Sequence, residues 1–414
     1  MTNFDVTAIG TAFVDVVANV TEDFLERYSL IKGQGNVLPI PVLRDIRREL
    51  TDSRVIPGGT VANAVATVAS LGGKAAFIGK ACNDTTGDNF KAAFDKDGVK
   101  SCVPLVQFDR DIDKATARCL VLVTPDHDRT FAFNFGVCEE IDEADIDTET
   151  IRASKILFID GQMLVSRRAR AAVTLALETA KQAGIKVAFN MHDLNFRAVA
   201  VQEVIDTIRT QADILIGNER EIRGCFDIDR ENTDLNSFME ILNSRRQILA
   251  MTRGAKGACI FSDEGVATIA SENHQSVVDS TGAGDAFAGG FLFGLAQGFS
   301  LPAAGKLAAL SAAGTVPVFW MYRLSATAMI TVTTAMRITF RVILFFMKGG
   351  CSFDYFAGLK LSRRVTTRLY TPGFLLSGVK KPVRTNWNLS PGFASFRLSS
   401  SLQPLRATTL SGFR

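Results

Sequence analysis

The stretch VVDSTGAGDAFAGGF, residues 277–291, breaks a β-type run with Thr-Gly-Ala-Gly-Asp and follows it with a helix of small residues. Gly282 and Gly284 flank Ala283 and leave bare backbone N–H groups at a helix start, where an anion binds readily. Asp285 stands in that first turn, and the helix dipole favours its ionised form. Three roles suit such a carboxylate: a cap, a metal-shell ligand or a base. Phosphoryl transfer leaves little covalent work to a protein, which must position a hydroxyl, accept its proton and neutralise charge on the moving group. One helix start of this kind supplies all three. A glycine-rich turn capped by an aspartate is the plain structural alternative.

Other phosphate-binding devices are missing. No GxxxxGK[ST] occurs, and no GxGxxG follows a strand, so neither a P-loop nor a dinucleotide fingerprint is supported. The three histidines (127, 192, 274) are far apart and make no metal constellation. Seven scattered cysteines (82, 102, 119, 138, 225, 259, 351) form no CxxC pair, which predicts reduced thiols and a cytoplasmic protein. The start, MTNFDVTAIG, lacks the basic and apolar regions of a secretory signal.

The elements that must position Asp285 follow from the rhythm of residues 1–314, which alternate short strands with amphipathic helices. FDVTAIG, AAFIG, VKSCVPLV, KILFID, IKVAFN, ADILIGN and QILAMT read as strands. TVANAVATVASLG, the run from Gly87 to Phe94, SRRARAAVTLALETAKQAG, VQEVIDTIRTQ and LPAAGKLAALSAAG read as helices, with one more helix before QILAMT. ATARCLVLVT with RTFAFNFG, and GACIFS with GVATIA, read as hairpins. The expected fold is α/β: a three-layer α/β/α body with a mainly parallel sheet and a small β-sheet lid. The lid strands fall near residues 12–40 and 104–135.

Two separated motifs carry a family resemblance. DSTGAGDAFAGGF resembles the C-terminal signature of the PfkB (ribokinase-like) carbohydrate kinases, and PGGTVANAVATVASLGGKAAFIGKACNDTTGDNF looks like their N-terminal signature. The resemblance covers roughly residues 4–314 and implies transfer of the ATP γ-phosphoryl group to a sugar-type hydroxyl. By the same resemblance Asp285 is the catalytic base, and Gly282, Ala283 and Gly284 form the anion hole. Asp15, Gly58, Gly59 and Asn63 match substrate-binding positions, and an acceptor-only carboxylate such as Asp15 takes two hydroxyl donors at once. Asn218 and Glu221 in GNERE match an N-x-x-E element near the phosphates, with Glu221 toward Mg2+. The same pair also makes a capping-box pattern. Thr252, Gly254 and Gly257 resemble the nucleotide-side turn, and Asp279 a position linked to a monovalent cation such as K+. Asp193 to Arg197 resembles the D-x-N-x-R element of sugar and sugar-acid kinases, whereas ATARCLVLVTPDHDRTF and VDVVA resemble the adenosine-kinase-like branch. Substrate therefore stays open between a sugar and a nucleoside. A catalytically impaired member that only binds ligand is a further alternative. Neither nucleic acid nor membrane is expected as a partner, and the chain is expected to be a monomer or homodimer.

The net charge of +3 hides a break. Between Thr315 and Arg414 stand fourteen Lys/Arg and a single acid, Asp354, together with both tryptophans. Arg323, Arg337 and Arg341 interrupt the apolar stretch there, so no window of about 20 uncharged residues exists. Residues 315–414 thus read as an atypical basic tail, disordered or frame-altered, separate from a kinase domain over 1–314.

Overall fold

Parallel strands buried on both faces need near-continuous apolar runs, and this chain supplies them in series. The computed structural model describes residues 3–109, 114–126, 128–191, 201–228, 234–242, 247–271 and 282–321. Its large sheet has nine strands: β1 (Phe4–Ile9), β5 (Ala75–Ile78), β7 (Lys100–Cys102), β11 (Ser154–Asp160), β12 (Lys186–Asn190), β13 (Ile214–Asn218), β14 (Ile248–Thr252), β15 (Ala258–Ser262) and β16 (Gly265–Ile269). Their spatial order is β16-β15-β14-β13-β12-β11-β1-β5-β7. All neighbours pair parallel except β14–β15 and β15–β16, the expected second hairpin.

Helices cover both faces. Four helices, α5 (Thr148–Arg152), α6 (Arg167–Ala183), α7 (Val201–Gln211) and α8 (Glu219–Phe226), bury Ile151, Val173, Ile208 and Ile222 against Ile159, Phe189, Leu215 and Phe261 of the sheet. The opposite face takes α3 (Thr60–Ser70), α9 (Ala283–Ala296) and α10 (Leu301–Met321), which pack on one another and on the strands. These three are rich in alanine and glycine, so their backbones approach closely. A side chain at Gly294 would sit 2.9 Å from Ala304 Cα, and one at Gly290 would sit 3.0 Å from Ala308 Cα. Helix ends are marked as the chemistry requires: Ser166 accepts from Ala169 N to start α6, and Gly184 closes it at φ 67°.

The lid is a five-stranded sheet, ordered β3 (Gly35–Val37), β10 (Arg129–Asn134), β9 (Arg118–Val123), β2 (Val14–Asn19), β4 (Ser53–Pro57). β9 and β10 form the expected hairpin. Its outer face carries Val16, Ala18, Leu120, Leu122 and Ala132, sealed by Phe24 and Leu25 of α1 (Glu22–Arg27) and by Leu43 and Ile46 of α2 (Ile40–Glu49).

The structure departs from expectation in six respects. VKSCVPLV does not form one strand: Pro104 cannot donate to a ladder, and the run splits into β7 and β8 (Leu105–Val106). β8 pairs with β6 (Ala81–Cys82) and not with the lid, where the range 104–135 had placed it. The lid gains β4, which lies beyond the expected range 12–40. The helix expected before QILAMT is a 3-10 segment, Leu235–Ile241, preceded by α8. α4 (Thr85–Asp97) starts where Asp84 accepts from Gly87 N, two residues before the expected Gly87. α10 runs on past Gly314 to Met321, and the rest of the basic tail lies outside the described residues.

If α2 seals the lid, removing its central side chain must cost what a buried aliphatic truncation costs. Ile46→Ala is expected to lower the unfolding free energy by about 2–5 kcal/mol in urea denaturation. A loss below ~1 kcal/mol would show that α2 does not cover this core.

Candidate active site

Asp285 is set by helix packing. Gly282, at φ 75°, is the N-cap residue of α9, and Ala286 N donates to Gly282 O at 2.9 Å. Among the described residues no side chain caps this turn. The backbone N–H groups of Ala283, Gly284 and Asp285 are therefore the first-turn donors without intrahelical acceptors. Among the described residues, a side chain at Gly282 or Gly284 would meet nothing within 4 Å. Asp285 is half-buried in that turn, while α9 packs on β1, β11 and β13.

Asn63 reaches the same point from the other signature. Its Nδ2 donates to Asp285 Oδ2 at 2.8 Å, joining residues 222 apart in the chain. Gly59 starts α3 at φ 94°, and a side chain on it would lie 2.6 Å from the carbonyl oxygen of Thr11. Only glycine satisfies both conditions. At Gly58 a side chain would overlap the Asp15 carboxylate, so that residue leaves room for the carboxylate instead of contributing a group of its own.

Asp15 comes from the inner face of the lid. Burial, and after it the Asp285 carboxylate, push its pKa from an ordinary 3.8 up to about 7. Register puts Ile56, Asp15, Cys119, Phe133 and Val37 in one row across the five strands. Registered neighbours share a face. Burial, and then Asp15, raise the Cys119 thiol pKa well above its usual value. Phe133 meets Phe13 edge-on at 6.3 Å and Phe135 edge-on at 5.3 Å, and Phe13 lies 5.5 Å from Phe135. All three rings are half-exposed. This aromatic cluster is a feature that the motifs did not announce. Its one signal was the recurrence of Phe beside β2 and at the end of β10, at positions 13, 133 and 135.

The nucleotide-side candidates lie along the carboxyl ends of the large sheet, where open α/β sheets bind ligands. Asn218 ends β13 directly opposite Thr252 at the end of β14. Asn218 Oδ1 accepts from Glu221 N at 2.9 Å, and Glu221 Oε2 accepts from Asn218 N at 2.8 Å. The capping box is thus built, and one Glu221 oxygen is committed to it. Arg253 donates to Glu219 at 3.1 Å and Arg223 donates to the other oxygen of Glu219 at 2.8 Å, which ties the start of α8 to the turn after β14. Sequence reading missed this Glu219–Arg253 pair because both residues occupy unspecified positions of their motifs, between the residues that define them. Gly254 (φ 57°) and Gly257 (φ 82°) shape that turn, and a side chain on Gly257 would run into the carbonyl of Ile269.

Asp279, Thr281 and the Asp193 to Arg197 element lie outside the described residues. Among the described residues, no cluster of three His, Cys, Asp or Glu side chains is arranged to hold a metal. The six described cysteines are free thiols, as expected. No described helix is long and apolar enough to cross a membrane.

Comparison with known proteins decides the family. Residues 41–318 match the family model described as pfkB family carbohydrate kinase. The chain belongs to the pfkB family. Its fold is ribokinase-like: a probable sugar kinase from Rhizobium etli CFN 42 superposes with a TM-score of 0.69 at 29% identity, covering 76% of this chain and 93% of the other. Adenosine kinase from Sinorhizobium meliloti gives a TM-score of 0.67 at 29% identity, with coverage of 75% and 92%. Among curated relatives, a probable fructokinase-5 from Arabidopsis thaliana is 31% identical over 260 residues, 61% of this chain and 77% of that protein. The pfkB chain described here is therefore a kinase of the sugar or nucleoside type.

The raised Asp15 pKa has a sign. The folded protein binds this proton more tightly than the unfolded chain, so stability falls as pH rises from about 4 to about 7 and is level above. Asp15→Asn is expected to gain more than about 1 kcal/mol over the parent at pH 8 and nothing at pH 4, read by urea denaturation. Equal effects at both pH values would contradict the buried, charge-crowded setting.

Proposed function

We propose that this protein transfers the γ-phosphoryl group of ATP to a hydroxyl of a small acceptor bound between the lid and the start of α9. The observation that carries the reading is the convergence of Asp285, the first turn of α9, and Asp15 on one point. The acceptor hydroxyl gives its proton to Asp285 as its oxygen bonds to the γ-phosphorus. The bond from that phosphorus to the β,γ-bridging oxygen breaks, and ADP leaves. The N–H groups of Ala283, Gly284 and Asp285 meet the charge on the moving group. Asp15 holds acceptor hydroxyls across from the base, and Gly58 and Gly59 let the acceptor lie against backbone.

ATP is placed along the carboxyl ends of β13 and β14, with Asn218 beside Thr252 and the Gly254–Gly257 turn under the base and sugar. Magnesium fits this site as the ion carried on the nucleotide, because Mg2+ keeps waters and takes only one or two carboxylates. Glu221 is the candidate to hold it, by way of water. Bound there, the ion neutralises phosphate charge. Asp279 as a monovalent cation ligand remains part of this proposal.

For the acceptor, the lid row favours a nucleoside over a simple sugar. Two strand spacings, about 10 Å, separate the backbone at Asp15 from that at Phe133. One sugar ring on Asp15 would leave the three half-exposed phenyl rings against water. A nucleoside puts ribose hydroxyls on Asp15 and a flat base on the rings. The R. etli sugar kinase and the A. thaliana fructokinase support the alternative acceptor, a sugar such as fructose.

Asp285→Asn is expected to lower kcat by at least about 10³-fold while ATP binding, read by calorimetry, is retained. Phe133→Ala is expected to cost about tenfold or more in kcat/KM for adenosine, with little change for fructose. Turnover surviving in Asp285→Asn would remove the base assignment. An equal loss on both acceptors in Phe133→Ala would remove the nucleoside assignment alone.

A further inference from the structure

The resemblance places Asn63 on the substrate side, and one donor of its side-chain amide goes to the base. Asn63 Nδ2 lies 2.8 Å from Asp285 Oδ2, and the contact is a consequence of helix packing. Gly289 lies one turn beyond Asp285 on the same face of α9, and Thr67 one turn beyond Asn63 on α3. A side chain on Gly289 would lie 2.7 Å from Thr67 Cβ and would run into the carbonyl of Ala64. The two helices therefore touch backbone to backbone there, and the next turn toward their starts brings Asn63 onto Asp285. The Asn63 backbone is itself fixed, since its N–H donates to Gly59 O at 2.8 Å and its carbonyl accepts from Thr67 Oγ1 at 3.0 Å.

We propose that Asn63 is a positioning residue: its amide holds one oxygen of Asp285, turns the other toward the acceptor hydroxyl, and makes Asp285 the ionised member of the Asp15–Asp285 pair. The inference rests on the reading of Asp285 as base. Two carboxylates that share a site resist joint ionisation, and whichever accepts the better donor keeps its charge. Asp285 has an amide donor and a helix start, while Asp15 is pushed up by burial and by Asp285. The proton on Asp15 leaves one carboxyl that both donates to and accepts from acceptor hydroxyls.

Among the described residues, few other charges bear on this pair. No residue of α3 is charged. Asp5 lies at the far end of β1 in an ion pair with Lys155, and Asp160 ends β11, where it accepts from Gln162 N. Glu219 and Glu221 follow β13, engaged with Arg253 and with the cap of α8. Lys306 of α10 lies beside the end of α9 that is remote from Asp285, because Ala304 packs at Gly294 and Ala308 at Gly290.

The test is the pH dependence of kcat and KM for the full-length protein and three variants. Asn63→Ala is expected to lower kcat about 10- to 100-fold with KM changed less than about threefold, and to move the acid limb of the kcat/KM profile up by about one pH unit. Gly289→Ala, which touches no ligand, is expected to move the same limb in the same direction by wedging α3 from α9. Both variants leaving the limb in place would overturn the inference, whether the loss then appears in KM, as for a direct substrate contact, or only in Tm. Asp285→Asn separates the two levels: if it retains turnover, the base reading fails and this inference with it. If it is dead while the limb stays fixed in both other variants, only the positioning role fails.

Discussion

Two helices that start 223 positions apart in the chain, at Thr60 and Ala283, meet with no side chain between them at Gly289, and the site depends on that contact. Any larger residue there would push α3 from α9, because the atoms in the way are the Ala64 carbonyl and Thr67 Cβ, which cannot swing aside. With the helices this close, Asn63 and Asp285 come within hydrogen-bond distance. The first turn of α9 meets no described side chain at Gly282 or Gly284, and the Gly58–Gly59 bend brings the lid's Asp15 to the same spot. The alanine and glycine content of α3, α9 and α10 is therefore a structural condition for the chemistry, beyond its part in packing the sheet.

The lid adds a second constraint. α1 and α2 seal its outer face with Phe24, Leu25, Leu43 and Ile46, so only the inner face is available to a ligand. On that face the half-buried Asp15 carboxyl sits in a row with Ile56, Cys119, Phe133 and Val37. The proposed nucleoside acceptor would present hydroxyls to one end of this row and a flat apolar surface to the other.

Much of this was legible in the sequence because the responsible signals are local. The strands of the large sheet announce themselves as short apolar runs, and the glycines at 58, 59, 282 and 284 mark the turns where backbone must be bare. What escaped notice depends on three-dimensional register. β4 reads as SRVIP, too polar and too short to declare a strand until β2 is beside it. Pro104 divides β7 from β8, and the partner of β8 is set by where β6 falls. The Phe13–Phe133–Phe135 cluster needs the start of β2 and the end of β10 to meet. Asn63 was recognisable as a site residue, but its partner was not, since nothing in a sequence reveals which helix face touches which. The Asn218–Glu221 pair shows the reverse case: its capping-box reading was complete in the sequence and is what the structure contains.

The central claim is that this constellation moves a phosphoryl group from ATP to a hydroxyl. The direct measurement is transfer of label from [γ-32P]ATP by the purified full-length chain, with magnesium and potassium present, to a panel of adenosine, ribose, fructose and 2-keto-3-deoxygluconate. The account predicts label on one member of the panel, adenosine first, with ADP formed in equal amount. Well-folded protein that binds ATP yet labels none of the four would contradict it.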